Sequence, residues 1–593
     1  MPSCHNNSPS IRLARNAGAH IYLGKMQPLS PPVPAKACAG PEKSFAQAVP
    51  EFGRIYGFDV LNLGAYYGAA GPVLALYIKY LGGSPTFMGL VMACMPACQL
   101  TQLFVAPHIE QWGIKRTMLA SLALRNAMHT VLAILPFLAG WMLGSNPLGL
   151  AQASAPGGFF GLPGATLLLV LFFVMLGFDL CQGLGFSGWM PWVTWLVPEK
   201  YRGRYFAFEQ MMNNLGQMAF SGVAGWILGE QGSHGNYGSI FAIGAVCGWI
   251  SLVFLGRITP SPRSADRPAA HSMDLRWMKA VWQITPFRRM MYVIWAHQLM
   301  LSVGYFFIFF QKDVLHLTDS FLMAATTVGI AGGLLSVYVW GSLADRFGSK
   351  PVMALSYYIV LGINAYWVAL ALGLPLSQKP VLIAVQFLTV AGLQGYVVTN
   401  MRYVLGSLPK DKMVFGTVFY NLTVQVSTMV GAMLWGRVLD LSFIQNIHLT
   451  FHNFRLDRFG VVFGCMLLLA ILARFMVHRL ENRESQSTAG EVAWYALCND
   501  RVTRKIFAYA AFGLAALPVS YLFQPEAVRQ ALDISLYCLG ILQGSGNLGL
   551  PPGSHLPWRA AFLTTLFVSM LACTLLCFHR HQRRMKTAAP NPA

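Results

Sequence analysis

The sequence predicts an all-α polytopic membrane protein, and three observations support this. The chain of 593 residues is 55% hydrophobic but only 11% charged, with a mean hydropathy of +0.50, whereas soluble domains carry about 25% charged residues. Apolar segments of about 20 residues, the length that crosses a bilayer core, recur along the chain. The basic residues between these segments concentrate in alternate loops, which is typical of oriented membrane proteins.

Twelve such segments, followed by two more, are predicted to span the membrane. The twelve lie near 57–79, 87–107, 117–140, 164–188, 205–229, 238–256, 290–311, 320–342, 352–374, 380–401, 413–437 and 459–478. The two additional spans lie near 506–523 and 559–578.

The distribution of the 42 Lys and Arg residues predicts the orientation. The N-terminal segment, the loops on one side, the segment 474–505 (which includes the end of the twelfth span) and the C-terminal tail hold 33 of them, whereas the opposite loops hold eight. The last one, Arg125, lies inside a span. Because the basic side of a membrane protein faces the cytoplasm, both termini are predicted to be cytoplasmic. The same clustering argues against nucleic acid as the reason for the net charge of +20.

Five parts are predicted along the chain. They are a flexible cytoplasmic tail (1–54), a six-helix half (55–256), a basic cytoplasmic linker (257–289), a second six-helix half (290–478) and an extension with two further spans and a basic tail (479–593). The first 50 residues lack a continuous apolar stretch, so no cleavable signal peptide is expected. The eleven cysteines are scattered and form no Cys-x-x-Cys pair, so neither a metal site, a cofactor nor a disulfide framework is predicted.

A ten-residue segment between the eighth and ninth predicted spans carries a specific pattern. It reads Gly341-Ser-Leu-Ala-Asp345-Arg346-Phe-Gly348-Ser-Lys350. Its glycines permit a tight reversal and its two charges suit a membrane surface, so a short loop is predicted here. The segment resembles the loop signature G-x-x-x-D-R-x-G-x-K of the major facilitator superfamily, and every fixed position is present.

A degraded copy of this motif lies between the second and third spans, as Glu110-Gln-Trp-Gly113-Ile-Lys115. It matches the first motif at an offset of 235 residues, and loops near Pro198 and Pro409 match at an offset of 211. The uncharged stretch 142–163 accounts for most of the difference. Two six-helix repeats are the arrangement that the resemblance implies.

A second loop narrows the resemblance. The segment that begins Trp189-Met-Pro-Trp192 and ends Arg202-Gly203-Arg204-Tyr205-Phe206 is similar to a W…LVPxxxRGRYF loop of a poorly characterised bacterial branch of the superfamily. The resemblance covers about 50–480 and implies a transporter. It also implies that the first, fourth, seventh and tenth helices line a central cavity.

Ionisable groups inside a span are costly, so each is a functional candidate. Asp179 lies about 22 Å into its span at 1.5 Å per residue. Surrounded by apolar neighbours, such a carboxyl suits a proton carrier. The alternative is a structural pair with Arg125 on the preceding helix, and a transporter can use both states.

Other polar residues on the cavity helices are further candidates for the substrate or proton pathway. His297 is predicted either to relay protons and bind an anionic substrate or to be a packing histidine. Asp59 is expected to be a gate contact. Asn213, Asn214, Gln217, Asn421 and Gln425 are expected to pair across the interface between the halves. The remaining pathway candidates are Gln298, Asn62, Tyr66, Gln182, Gln394 and Asn400.

The resemblance also implies a gating role for the two motifs. In the family, the acidic residue meets a helix N-terminus and the basic residues pair nearby, which holds one face closed. The residues that carry this prediction are Gly341, Asp345, Arg346, Gly348, Lys350, Glu110, Gly113, Lys115, Arg202, Gly203 and Arg204. Gln111 stands where the motif has Arg and Ala106 where it has Gly, so the first-half lock is expected to be weaker.

The sequence therefore predicts a secondary active transporter of a small organic solute, coupled to protons, in a bacterial inner membrane. Its expected partners are the solute, protons and membrane lipids, with a monomer as the default. The alternative is a receptor or scaffold that docks a partner through the two extra helices. Gly185-Phe-Ser-Gly-Trp189 is not a nucleophile elbow and Gly348-Ser-Lys350 is not a phosphate loop, so no enzyme is predicted.

Overall fold

The computed structural model of the chain describes residues 51–498, apart from gaps at 103–104, 106–107, 109–111, 144–162, 198, 260–275, 410–411, 448, 452–453 and 482–486. The predicted N-terminal tail up to residue 50, Glu110 and the two spans near 506–523 and 559–578 lie outside the described residues.

The first half of the molecule (residues 52–256) consists of eight described helices. They are α1 (Phe52–Ala70), α2 (Pro72–Tyr80), α3 (Pro85–Gln99), α4 (Ile114–Leu143), α5 (Pro163–Phe186), α6 (Trp189–Leu196), α7 (Glu199–Leu228) and α8 (His234–Gly256). The first predicted span is two stacked helices, because Pro72 has no N–H to continue the hydrogen bonding of α1.

The second half (residues 276–478) and the start of the extension contain ten described helices and a hairpin. The helices are α9 (Arg276–Trp282), α10 (Thr285–Ser302), α11 (Phe307–Asp313), α12 (Asp319–Phe347), α13 (Ser349–Ala371), α14 (Lys379–Ser407), α15 (Met413–Asp440), α16 (Ser442–Gln445), α17 (Arg458–His478) and α18 (Ala489–Cys498). A 3₁₀ turn (Val303–Phe306) joins α10 to α11. Strands β1 (Leu449–Phe451) and β2 (Phe454–Leu456) pair antiparallel before α17.

The all-α membrane fold is confirmed, with this short hairpin as an addition to it. Nine of the described helical segments are long and apolar enough to cross a membrane, judged by length and composition. Large apolar side chains lie on the outside of the helices, such as Trp141 with 84% of its surface exposed and Leu468 with 65%. A bilayer provides the apolar surroundings that such a surface needs.

The two predicted motif loops are mostly helical. Helix α12 continues through Asp345 and Arg346 to Phe347, and the chain reverses at a single residue, Gly348, with φ 82°. Glycine adopts this left-handed conformation without steric cost. Likewise α6 and α7 cover most of the segment that we predicted as a loop from Trp189 to Phe206, so Arg202, Gly203 and Arg204 lie in the first turns of a helix.

The two halves meet along two helix crossings, α3 with α15 and α7 with α12. Glycines allow the first crossing, because a Cβ on Gly436 would lie 2.6 Å from the carbonyl oxygen of Pro85 and one on Gly89 would clash with the carbonyl oxygen of Ala432. Further along α15, Gln425 donates to the Gln99 side chain of the first half. This is a pairing across the halves of the kind predicted for Gln425, made with α3.

Helix α12 runs between two ends of the molecule, which we name after its acidic residues. The Asp319 face carries Asp319 and the loops after α2, α7, α11 and α15. The Asp345 face carries Asp345 and the segments after α8 and α17. By the distribution of basic residues, the Asp345 face is the predicted cytoplasmic side.

Candidate functional site

Arg125 lies in the interior of the first half and is fully buried. Its Nη1 donates to Oε1 of Gln182 at 2.6 Å, and its Nη2 and Nε donate to Oδ1 of Asn126 at 2.7 and 3.1 Å. The guanidinium also lies 5.6 Å from the centre of the Phe178 ring. Amide oxygens and an aromatic face therefore satisfy this cation inside the membrane.

Asp179 does not form the ion pair with Arg125 that we considered as its structural role. Among the described residues no carboxylate lies within ion-pair distance of Arg125, since the guanidinium is turned to Gln182 and Asn126. Only 2% of Asp179 is exposed, and its Oδ1 has no hydrogen-bond partner among the described groups. The ion pair with Arg125 is therefore not formed in this conformation, and the role of Asp179 as a proton carrier stays a prediction.

Asp179 faces two neighbouring helices of the first half. Its carboxyl lies within electrostatic range of the Tyr66 hydroxyl on α1 and of the thiols of Cys94 and Cys98 on α3. The Tyr66 hydroxyl itself donates to the sulfur of Met95 at 2.7 Å. Tyr66 lies within electrostatic range of both Asp179 and Arg125, so it links the Asp179 carboxyl to the polar cluster that Arg125 forms with Gln182.

Two residues of α4 belong to the same interior and were missed by the sequence reasoning. His129 is fully buried and neither ring nitrogen has a partner among the described groups, and the Nδ2 of Asn126 is also unpartnered. His129 occupies a niche that exists because Gly68 and Gly244 have no side chains. The available signal was the spacing from Arg125, since residues four positions apart lie on one helix face. Asn62, a predicted pathway residue on α1, is buried with its Oδ1 unpartnered.

His297 occupies a packed site in the second half. Its Nδ1 lies 3.0 Å from the Tyr357 hydroxyl, and its ring stacks on Tyr396 with the ring centroids 3.6 Å apart. The residue is buried with 2% exposure. These contacts favour the packing alternative that we left open for His297.

The other predicted residues of the second half make contacts within that half. Oε1 of Gln298 accepts from the Thr428 hydroxyl at 3.4 Å, and Nδ2 of Asn400 donates to the Tyr420 hydroxyl at 2.9 Å. Gln394 extends toward Gly333 on α12. Gln298 and Asn400 therefore place polar groups between α10, α14 and α15, in the half that does not contain Arg125.

Asp59 lies closer to the Asp345 face than the Arg125 cluster does. It is 7% exposed and its Oδ2 accepts from the Tyr205 hydroxyl at 3.4 Å. A second carboxylate, Glu209 on α7, accepts from Trp189 at 3.3 Å and lies within electrostatic range of Asp59. The hydrogen bond of Asp59 is therefore made with α7 of its own half, and its role as a gate contact stays a prediction.

Asp319 connects the two halves at the Asp319 face. This carboxylate forms an ion pair with Lys312 of its own half and accepts from the Tyr237 hydroxyl at 3.2 Å and from the Gly232 N–H at 2.9 Å in the first half. The backbone N–H groups of Asp319 and Ser320 also donate to carbonyls of the loop after α7. Only 3% of the residue is exposed.

Two further acidic residues close the same face. Asp313 pairs with Lys79 of the first half at 2.7 Å and with Arg458 of its own half at 3.5 Å. Asp440 accepts from the backbone N–H of Thr86 at 2.6 Å. Three carboxylates of the second half thus bind the first half at this face, which defines the conformation as closed there.

At the Asp345 face the second-half motif has three separate partners. Asp345 forms an ion pair with Arg402 at 2.6 Å, although 80% of the Asp345 side chain is exposed. Nη1 of Arg346 donates to the Tyr495 hydroxyl at 2.6 Å, and the guanidinium lies 4.0 Å from the centre of that ring. Lys350 donates to the carbonyl of Leu480, after the end of α17, at 2.6 Å.

The first-half copy repeats part of this arrangement. Gly113 has φ 88°, close to the 82° of Gly348. Lys115 donates to the carbonyl of Gly256, the last residue of α8, and to that of Ile258, both at 2.7 Å. Arg54 and Arg289 likewise donate to the carbonyls of Arg257 and Arg479 at 2.9 and 3.3 Å. Cations suit these positions because the last carbonyls of a helix are unsatisfied and carry partial negative charge.

One aromatic side chain in each half also donates to a carbonyl of the segment that follows the last helix of that half. Nε1 of Trp192 donates to the Thr259 carbonyl at 3.1 Å, and the Tyr403 hydroxyl donates to the Glu481 carbonyl at 3.3 Å. Glu51 adds an acceptor in the first half. Burial alone would raise the pKa of Glu51, but its bonds from Thr259 and the charges of Arg54 and Lys115 hold that pKa below its usual value.

A sequence profile of the Major Facilitator Superfamily matches residues 60–432 and, in a second alignment, residues 298–556. The chain is a member of the Major Facilitator Superfamily. The second alignment extends past residue 480, where we expected the resemblance to end, and takes in part of the extension. No curated protein matches the chain in a sequence comparison.

Solved structures of the superfamily are similar to this chain in fold. A D-xylose–proton symporter has 15% identity and a TM-score of 0.55, covering 73% of this chain and 98% of its own. A point mutant of the nucleoside transporter NupG has 15% identity and a TM-score of 0.51, covering 72% and 100%. The xylose transporter XylE from E. coli, in a partially occluded inward-open conformation, has 13% identity and a TM-score of 0.50, covering 73% and 98%. At such identities the likeness shows the superfamily fold alone.

Proposed function

We propose that the chain is a secondary active transporter that moves a small organic solute by alternating access and is coupled to protons. The observation that carries the proposal is the buried Asp179 carboxyl, whose Oδ1 has no hydrogen-bond partner among the described groups. Membership of a superfamily of transporters supports movement of a solute. The contacts between the two halves at the Asp319 face support alternating access.

Alternating access requires contacts between the halves that can form and break. The Asp319 face offers such contacts, since Asp319, Asp313 and Asp440 each bind a group of the first half. Hydrogen bonds to charged groups contribute about 1.5–3 kcal/mol each. A few of them can therefore be exchanged for contacts at the opposite face during a cycle.

Proton coupling is assigned to Asp179. An uncompensated carboxylate in an apolar interior is costly. Its negative charge must therefore be compensated by a binding partner or neutralised by a proton. In the closed conformation Arg125 is turned to Gln182 and Asn126. We propose that Asp179 takes up a proton when water reaches it and that Tyr66 and Gln182, which contact the same cluster, respond to solute binding.

The polar groups of the interior favour a hydroxylated or amide-rich solute. Amide side chains and tyrosine hydroxyls dominate the predicted pathway, and they both donate and accept hydrogen bonds. Sugars, nucleosides, peptides and organic acids all fit this chemistry. A D-xylose–proton symporter and a nucleoside transporter among the structures similar in fold support testing the first two classes first.

We further propose a bacterial inner membrane as the location, with both termini and the Asp345 face in the cytoplasm. The distribution of Lys and Arg supports this orientation. Lipids would then surround the apolar outer surface, and a monomer is the default state. Neither a nucleic-acid partner nor an enzymatic reaction is part of the proposal.

A ligand screen followed by an exchange assay tests this function. Purified protein is heated with a panel of metabolites, and compounds that raise its melting temperature are assayed for counterflow in proteoliposomes, with empty liposomes as the control. Saturable counterflow of a hit supports a transporter. A scaffold would show no counterflow with any hit, and truncation after residue 487 would remove binding of its partner while leaving the core folded.

A further inference from the structure

The chain that follows α17 crosses the Asp345 face of the second half. Its first residues are held by Lys350 at Leu480, by Tyr403 at Glu481 and by Arg289, which donates to Arg479 and forms an ion pair with Glu481 at 3.6 Å. After the gap at 482–486 the chain forms helix α18, which ends against the gating motif.

Helix α18 packs its apolar side against α12 and α13. Val492 is fully buried and Ala496 is 7% exposed, next to Val339, Leu343 and Val352. Trp494 lies on the opposite side of the helix with 70% of its surface exposed. Burying one side and exposing a tryptophan on the other suits a helix lying at the membrane surface.

The polar end of this contact is Tyr495. Its hydroxyl accepts from Arg346, its ring lies under the Arg346 guanidinium, and its edge meets the Phe347 ring with the centroids 5.1 Å apart. Arg346 is thus held by one residue through both a hydrogen bond and a cation–π contact. Arg346 must give up both contacts with Tyr495 before its guanidinium can turn to a group of the first half.

We propose that α18 is a latch built into the chain, which holds Arg346 through Tyr495 and so stabilises the conformation that is closed at the Asp319 face. Movement of the Asp345 end of α12 against the first half must release Arg346 or carry the latch with it. The extension therefore sets the balance between the two conformations of the cycle. This inference rests on the proposed alternating access but needs no substrate.

Labelling of a single cysteine tests the latch. Met323 faces the first half at the α7–α12 crossing, where a Cβ on Gly225 would lie 2.9 Å from the Met323 Cβ. In a full-length chain without other cysteines, Met323→Cys is labelled by an impermeant maleimide only when the Asp319 face opens. Tyr495→Ala is expected to raise the labelling rate at least about tenfold, because one hydrogen bond to a charged group and one cation–π contact are lost.

Matched variants make the test specific. Tyr495→Phe keeps the ring and is expected to give an intermediate rate, and Arg346→Gln should act like Tyr495→Ala with no further increase in the double variant. Trp494→Phe, on the exposed side of α18, should leave the rate unchanged. An unchanged rate in folded Tyr495→Phe and Tyr495→Ala proteins, or an equal increase in Trp494→Phe, would overturn the latch. Failure of counterflow with the latch effect intact would instead refute transport alone.

Discussion

Lys115 and Lys350 make the same hydrogen bond in the two halves of the molecule. Lys115 donates to the carbonyl of Ile258 at 2.7 Å and Lys350 to that of Leu480 at 2.6 Å, in each case two residues past the last helix of the half. The lysine of the motif therefore fixes the point at which the chain leaves each half, into the linker or into the extension.

Removing either lysine is expected to loosen the end of its half. Lys115→Met and Lys350→Met keep a long apolar stem but leave helix-end carbonyls without a cation, at a cost of about 1–2 kcal/mol each. The apparent melting temperature in detergent should fall by about 2–4 °C in both variants. Arg116→Met removes the same charge from the exposed neighbouring residue and should leave the melting temperature unchanged. A lower melting temperature in only one of the two variants would contradict the equivalence of Lys115 and Lys350.

Asp319→Asn is expected to open the Asp319 face. The substitution keeps the size of the side chain but leaves Lys312 without its carboxylate, and it weakens the bonds from Tyr237 and Gly232. Labelling of Met323→Cys should become at least about tenfold faster, which corresponds to about 1.4 kcal/mol. Glu230→Gln removes an exposed charge from the same face and serves as the control. Equal labelling in the two variants would show that Asp319 does not hold the face closed.

The two copies of the gating motif are expected to be unequal. Asp345 has the described partner Arg402, and the first copy has Gln111 where the motif has Arg. Asp345→Asn should therefore change the Met323→Cys labelling rate more than Glu110→Gln does. Because the Asp345 pair is exposed, the effect should be modest, about 0.2–1 kcal/mol, and should shrink in high salt. Equal changes of the labelling rate in Asp345→Asn and Glu110→Gln would contradict the expected inequality of the two motif copies.

The α3–α15 crossing should not tolerate a side chain at Gly89. A Cβ there would clash with the carbonyl of Ala432, so Gly89→Ala must separate the halves or distort a helix. The expected result is a lower melting temperature and faster labelling of Met323→Cys. Gly464→Ala makes the same change in α17 at a position with open space, and there it should be neutral or stabilising by up to about 1 kcal/mol. A neutral Gly89→Ala would mean that the crossing is looser than described.

The sequence predicted most of the helical spans within the described residues. It did not predict that α12 continues through the charged residues of its motif. Nine of the twelve predicted spans correspond to described helices that are long and apolar enough to cross a membrane. The first span is divided at Pro72, the helix of the second ends at Gln99, and the fifth corresponds to the more polar α7. The charged residues Asp345 and Arg346 suggested a loop, yet they lie in the last turn of α12, because polar side chains at a membrane surface are compatible with a helix. Only the glycine at 348 was needed for the reversal.

The partners of the buried residues were harder to predict. Opposite charges on neighbouring helices suggested an ion pair between Asp179 and Arg125. In the structure the Arg125 guanidinium instead donates to the side-chain oxygens of Gln182 and Asn126. Arg54 and Arg289, which hold the carbonyls after α8 and α17, are separated by the same 235 residues as the two motifs. That spacing was available in the sequence, whereas the carbonyls that accept from them become visible only in the fold.

The central claim is that Asp179 couples solute movement to protons. Its most direct test compares the wild-type chain with Asp179→Asn in proteoliposomes, using a solute found by the counterflow screen and an imposed pH gradient. We predict that Asp179→Asn abolishes uptake driven by the pH gradient but retains counterflow, because exchange does not require net proton movement. Uptake by Asp179→Asn that still follows the pH gradient as the wild-type protein does would contradict the assignment.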